Sequence, residues 1–257
     1  MSIENEIAVY DNAHPNDSGE MEIFDRAIFQ TVIRDREIQM ILSDLGKRKP
    51  KKILELGCGG GWLSKILTEK GYNVVGIDIS RSLVSNAKKI NLDSNTEYIA
   101  GDCAHLPFKE ETFDYIIGIA ILHHLSIPDT LVECARVLTP RGSLLFMEPN
   151  ALNPLMALGR KLFPSDIHTE DEQPILFRNL PDIFISNGFS INAPYYAFPY
   201  SFCLSYSIAK IKLGMIENIA QMACPFIRFS EMLFEKVPIL NRLGGVVVVS
   251  AAKGKDL

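Results

Sequence analysis

From Ile53 onward, short β-rich apolar runs alternate with helical stretches, and this alternation limits the fold more than any other feature of the chain. "ILEL" (53–56) precedes a helical stretch from Leu63 to Lys70, and "NVVGIDI" (73–79) precedes one around Leu83 to Ile90. "TEYIAGD" (96–102) leads into a polar loop, "FDYIIGIAIL" (113–122) into a helix near Thr130 to Leu138, and "GSLLFMEP" (142–149) closes the series. "INAPYYAF" (191–198) and "GGVVVVSAAKG" (244–254) add two more strand-like runs. The pattern predicts a doubly wound, seven-stranded, mostly parallel α/β sheet with helices on both faces and ligands at the carboxyl ends of the strands.

The flanks read differently. Residues 1–50 predict a helical cap, with Ile23, Phe24, Ala27 and Ile28 along one face between Glu20 and Leu45. Residues 51–150 form the core, and 151–257 complete the same domain with a helical insertion over about 200–243 and a final strand over 245–252. That insertion is far longer than an ordinary connection. Its stretch from Tyr200 to Phe229 is apolar but interrupted by Lys210, Lys212 and Glu217, so it is not expected to span a bilayer. Peripheral contact with a membrane stays open.

With 257 residues, 47% of them hydrophobic, the chain can bury a large core, and its net charge of −5 argues against a nucleic-acid partner. Five scattered cysteines (Cys58, Cys103, Cys134, Cys203, Cys224) make no C-x-x-C pair, and no grouping has metal-ligand spacing. "MSIENEIAVYDN" offers early acids and no uninterrupted apolar run of the kind a secretory signal needs. The expectation is a cytoplasmic protein, monomeric or homodimeric.

The first strand runs straight into Gly57, Gly59, Gly60 and Gly61. Glycine weakens regular structure by about 0.5–1 kcal/mol relative to alanine, so the cluster needs a tight turn or close approach of another molecule. A dinucleotide fingerprint, G-x-G-x-x-G/A, fits at Gly57 and Gly59 but puts Trp62 where a small residue must let the helix pack. A nicotinamide-dependent oxidoreductase is therefore disfavoured.

"ILELGCGGG" (53–61) instead resembles motif I of the class I S-adenosylmethionine (SAM) dependent methyltransferases, and further motifs follow in order. "VVGIDIS" is similar to the second motif, "AGDCAHLPF" to a GDA-x-x-LPF segment, "FDYIIGIAILHHL" to FDxVxxxxxLHHL, and "ARVLTPRGSLLFMEP" to RVLKPGG followed by a strand, with Arg141 standing for the first glycine of that pair. "HTEDEQPI" followed by "NLPDIFISNGFS" resembles a segment of the small-molecule, quinone-biosynthesis-like branch.

The resemblance covers Lys51 to Pro149 tightly. It implies a Rossmann-like fold, SAM as cofactor and S-adenosylhomocysteine as product. It also implies cofactor contacts from Glu55, Gly57, Cys58, Gly59, Gly61, Asp78, Ile79, Asp102, Cys103, Gly118 and Ile119. Asp78 would accept from both ribose hydroxyls, Asp102 would contact the adenine amino group, and the backbone N–H of Cys103 would sit beside it. Glu55 would lie near the cofactor's amino group or brace the loop.

Methyl transfer is an in-line displacement that mainly demands positioning, with a general base adding about 10²- to 10⁴-fold for a hydroxyl or amine acceptor. His123, His124 and Glu148 are the candidates near the mouth; the two histidines read more readily as a structural or cofactor-lining pair than as a base. The acceptor site would draw on Tyr10, His14, Phe24 and His168, and its apolar surroundings favour a small hydrophobic or aromatic molecule. The absence of a (D/N)PP(Y/F) motif after the fourth strand argues against methylation of bases or glutamine. A SAM-binding regulatory or assembly subunit without turnover is the alternative.

Overall fold

The computed structural model describes residues 30–91, 96–150, 152–155, 157–158, 180–192, 195–198, 200–201, 204 and 214–254. A π-helical turn, Gln30–Arg34, opens into α1 (Asp35–Arg48). There follow β1 (Lys52–Leu56), α2 (Trp62–Glu69), β2 (Asn73–Asp78), α3 (Arg81–Ile90), β3 (Glu97–Ala100), β4 (Phe113–Ile119), α4 (Ile127–Val137) and β5 (Leu138–Pro149). The remaining elements are α5 (Leu180–Ser186), β6 (Phe189–Ile191), β7 (Tyr195–Ala197), α6 (Gly214–Glu235), α7 (Pro238–Asn241) and β8 (Val246–Lys253).

The sheet runs β3-β2-β1-β4-β5-β8-β6, with β7 also paired to β8. Strands β1 to β5 are mutually parallel, and β8 enters antiparallel to β5. The chain winds outward from β1 through β2 to β3, then returns to place β4 on the other side of β1. The switch point therefore lies between β1 and β4, where Leu56 pairs with Gly118. Central strands buried on both faces explain the unbroken apolar runs in the sequence. Ile53, Leu54 and Leu56 have no exposed surface, nor do Ile116 and Ile117.

The sheet has eight strands rather than the expected seven. The extra one comes from a break in the edge lane: β6 pairs with Lys253 to Ala251 and β7 with Val248 to Val246, along the same strand β8. From Ile191 to Tyr195 the edge advances four residues while β8 advances three, which is a bulge. The interval contains Pro194, which has no N–H to donate to a ladder. The "RG" of Arg141 and Gly142 lies inside β5, where the chain advances five positions from Leu138 to Ser143 while β4 advances two from Phe113 to Tyr115. A Cβ at Gly142 would lie 2.9 Å from the Thr139 carbonyl oxygen, so glycine is required there.

One core cluster joins α1, α2, β7 and α6 through Ile41, Leu67, Phe198 and Cys224; a second joins α4 and α5 on the opposite face through Leu131, Val137 and Phe184. The cap is pinned by side chains: Arg48 donates to Ser143 Oγ at 2.6 Å and Ser250 Oγ at 2.8 Å, tying α1 to β5 and β8. Of the expected cap, residues 20–29 lie outside the described residues, as do Tyr10, His14, Phe24 and His168 of the expected acceptor site. Much of the 200–243 insertion is α6, and it packs against the cap.

Candidate active site

At the carboxyl ends of β1, β2 and β4, the loop after β1 crosses the switch point. Gly57, Gly59 and Gly61 have φ of +67°, +49° and +77°, in the left-handed region that favours glycine. Their surroundings differ. A Cβ at Gly57 would sit 2.6 Å from Ile121 Cδ1, and one at Gly61 2.5 Å from the Tyr98 hydroxyl. At Gly59 and Gly60 an added Cβ would meet nothing within 4 Å. Gly57 and Gly61 are therefore fixed by the protein's own packing, while Gly59 and Gly60 offer bare backbone to open space. Gly118 belongs with the first pair, since its Cβ would lie 2.6 Å from Ile121 Cγ2.

Asp78, at the end of β2 and buried, holds this loop. Its Oδ2 accepts from the Gly59 N–H at 2.8 Å, and its Oδ1 from the Ser80 N–H at 2.9 Å. Cys58 donates its N–H to the Ile77 carbonyl at 3.0 Å and is buried, and burial pushes its thiol pKa up; it is a packed loop residue, not a nucleophile. Glu55 is buried one residue before the end of β1 and accepts from the Ser64 hydroxyl in the first turn of α2. Desolvation, opposed by the Ser64 bonds and helped by the Asp78 charge, pushes its pKa up to about 8.

Beyond β3, Asp102 Oδ1 accepts from the Ala104 N–H at 2.8 Å, and Oδ2 lies 2.9 Å from His105 Nδ1. That hydrogen bond and the aspartate charge raise the pKa of the exposed His105. Cys103 is buried, whereas Ile79 and Ile119 are half-buried at the strand ends. Just past β4, Ala120 has φ +52° and donates its N–H to the Met147 carbonyl at 2.8 Å. An exposed, non-glycine residue in the left-handed region marks local backbone strain at the switch point.

Glu148, near the end of β5, has no exposed surface and accepts three hydrogen bonds. Its Oε1 takes the N–H groups of Ile121 and Leu122, both at 2.9 Å, and its Oε2 lies 2.8 Å from His123 Nδ1. With both oxygens committed, the Glu148 carboxylate is an anchor for the 121–123 turn and an orienter of His123. The rings of His123 and His124 stack tilted with centroids 4.0 Å apart.

Sequence reasoning missed four contributors. Tyr98 fills the space beside both Gly61 and Gly76, Ile121 fits against both Gly57 and Gly118, Ser64 caps Glu55, and Arg34 stacks on Trp62 at 4.0 Å from the ring centroid. No local sequence signal identifies them, because each acts across the fold. Among the described residues no grouping of three or more His, Cys, Asp or Glu could hold a metal ion.

Residues 54–146 match the family described as "Methyltransferase domain". That stretch of the chain is similar to this family. Sterol 24-C-methyltransferase erg6 of Schizosaccharomyces pombe is 36% identical over 104 residues, 38% of this chain and 28% of its own length. Ubiquinone biosynthesis O-methyltransferase of Coxiella burnetii is 35% identical over 105 residues, 40% of this chain and 45% of its own. The chain thus spans less than half the length of these curated relatives.

Solved structures match the chain well beyond residues 54–146. Geranyl diphosphate C-methyltransferase from Streptomyces coelicolor A3(2), crystallised with Mg2+, geranyl diphosphate and S-adenosyl-L-homocysteine, superposes with a TM-score of 0.62 over 98% of this chain and 97% of that one, at 14% identity. The PH0226 protein from Pyrococcus horikoshii OT3 gives 0.59 over 96% and 98%, at 20% identity. At such identities the likeness is one of fold.

Proposed function

We propose that this chain is a SAM-dependent methyltransferase acting on a small, largely apolar acceptor. The observation that carries the reading is the open backbone at Gly59 and Gly60, held by the buried Asp78 at the switch point of a methyltransferase domain. Bare backbone at a strand end with an acid beside it fits a nucleoside cofactor. Asp78 would accept from the ribose hydroxyls, Asp102 and the Cys103 N–H would face the adenine, and Ile79 and Ile119 would line the sides. The buried Asp78 and the partly exposed Asp102 give the strand ends a negative character suited to a cation. SAM supplies a methyl group on a sulfonium.

The chain's own part is to bring the acceptor into line and remove its proton. Because Glu148 Oε2 accepts at Nδ1 of His123, that nitrogen carries the hydrogen and Nε2 keeps a lone pair. His123 is the general base in this reading, and Glu148 positions it. His124 stacks on His123 and is not needed as a second base. The apolar acceptor is supported by the relatives' names, which denote a sterol, a step of ubiquinone biosynthesis and geranyl diphosphate.

The test is transfer of labelled methyl from SAM to a panel of apolar phenols and alcohols. His123→Asn is expected to lower kcat by about 10²-fold or more, with SAM affinity unchanged. A variant as active as the wild type would remove His123 from the mechanism. SAM binding with no transfer to any acceptor would favour the regulatory subunit.

A further inference from the structure

Helix α6 leaves an apolar stripe uncovered. Ile219, Met222, Phe226, Phe229 and Leu233 follow one another at intervals of three or four residues and so share one face. They are 60%, 80%, 78%, 58% and 50% exposed. The opposite face carries Cys224, Ile227 and Glu231, which pack on the body. A run of this size and composition on a helix surface calls for an occupant.

Charge identifies it. The acids among the helix's described side chains, Glu231 and Glu235, both turn inward onto Arg36, at 3.2 and 2.6 Å. Arg228 lies on the flank, 3.7 Å from Asp35. Just beyond the stripe's carboxyl end, Lys236 and Arg242 are exposed. The turn that carries Arg242 is bound by Asn150 Nδ2 at the Arg242 and Gly244 carbonyls and by Asn153 Nδ2 at the Leu243 carbonyl. Leu152, Leu155 and Leu158, all exposed, continue from those asparagines. The second apolar strip thus starts beside the turn that carries Arg242, at the end of β5 and therefore at the same edge of the sheet as the candidate active site.

We infer that this face docks on a membrane surface bearing anionic headgroups, with the α6 stripe lying in the interface and Lys236 and Arg242 on the headgroups. A second copy of the chain fits less well, because an isologous contact here would bring cations together with the helix acids already turned away. Among the described residues no helix is long and apolar enough to cross a membrane, so the contact lies on the surface. The inference does not rest on the methyl-transfer reading. Where both hold, an apolar acceptor would reach the site from the lipid.

The experiment is flotation of the full chain with phosphatidylcholine vesicles, with and without 30 mol% phosphatidylglycerol as a chosen composition. It is paired with sedimentation velocity in the absence of lipid and with SAM calorimetry. The wild type is expected to float with the anionic vesicles. Phe226→Glu/Phe229→Glu should abolish flotation, and Lys236→Glu/Arg242→Glu should weaken it by about five-fold or more per cation. Both variants should keep the wild-type SAM response, whatever that is. Failure of the wild type to float, or a lipid-free dimer dissociated by Phe226→Glu/Phe229→Glu, overturns the proposal, the latter in favour of a second copy.

Discussion

Gly57 and Gly60 stand three residues apart in one loop, yet a methyl group added to each meets a different fate. At Gly57 it strikes Ile121 in a left-handed backbone; at Gly60 the backbone is ordinary and the space open. Gly57→Ala is therefore expected to lower stability by about 1–3 kcal/mol through strain and displaced packing. Gly60→Ala should leave the urea midpoint nearly unchanged while weakening SAM binding, because the methyl group occupies the cofactor's side. The sequence shows the glycine cluster but not this division, since Ile121 and Tyr98 arrive from β4 and β3. Glu55 adds a pH signature. Its pKa near 8 in the fold stands above its ordinary 4.5, so between those values the folded state keeps a proton that the unfolded chain has released. Its contribution is fully present below pH 4.5 and is lost as pH rises through about 8. Glu55→Gln should remove a slope of up to about 1.4 kcal/mol per pH unit from the stability curve in that window. An unchanged slope would place the proton elsewhere. Glu148 was legible as an acid at a strand end, which reads as a base; only the fold shows its three donors.

At the scale of elements, the central strands and their helices were readable because parallel strands buried on both faces give continuous apolar runs ending in turn residues. The edge was harder. The expected strand over 191–198 divides into β6 and β7, since an edge lane can bulge without breaking the inner ladder. The packing of α6 on α1 was not readable either, because it depends on ion pairs 195 and 199 residues apart in sequence. Arg36 lies 4.8 Å from the Phe198 ring centroid and holds two nearly buried glutamates. Removing it would leave both charges without their partner, and burial already raises the pKa of Glu231. Arg36→Ala is expected to cost about 3 kcal/mol or more by urea denaturation at neutral pH. The loss should shrink as pH falls and Glu231 takes up its proton. A loss under 1 kcal/mol would mean that apolar contacts alone hold α6.

For the whole molecule, the sheet order places the ends of β1, β2 and β4 together, and with them Gly59, Gly60, Asp78 and the turn anchored by Glu148. The central claim is that this edge receives SAM. Calorimetric titration of the full chain with SAM, S-adenosylhomocysteine and NADH, repeated on Asp78→Ala, tests it most directly. Asp78 braces the loop through the Gly59 N–H, and in the proposed reading it accepts from the ribose hydroxyls. A charged hydrogen bond contributes about 1.5–3 kcal/mol, so Asp78→Ala should weaken both SAM compounds by about ten- to a hundred-fold, with no response to NADH. A folded protein that gives no saturable heat with SAM, or that binds it equally well without Asp78, would contradict the account.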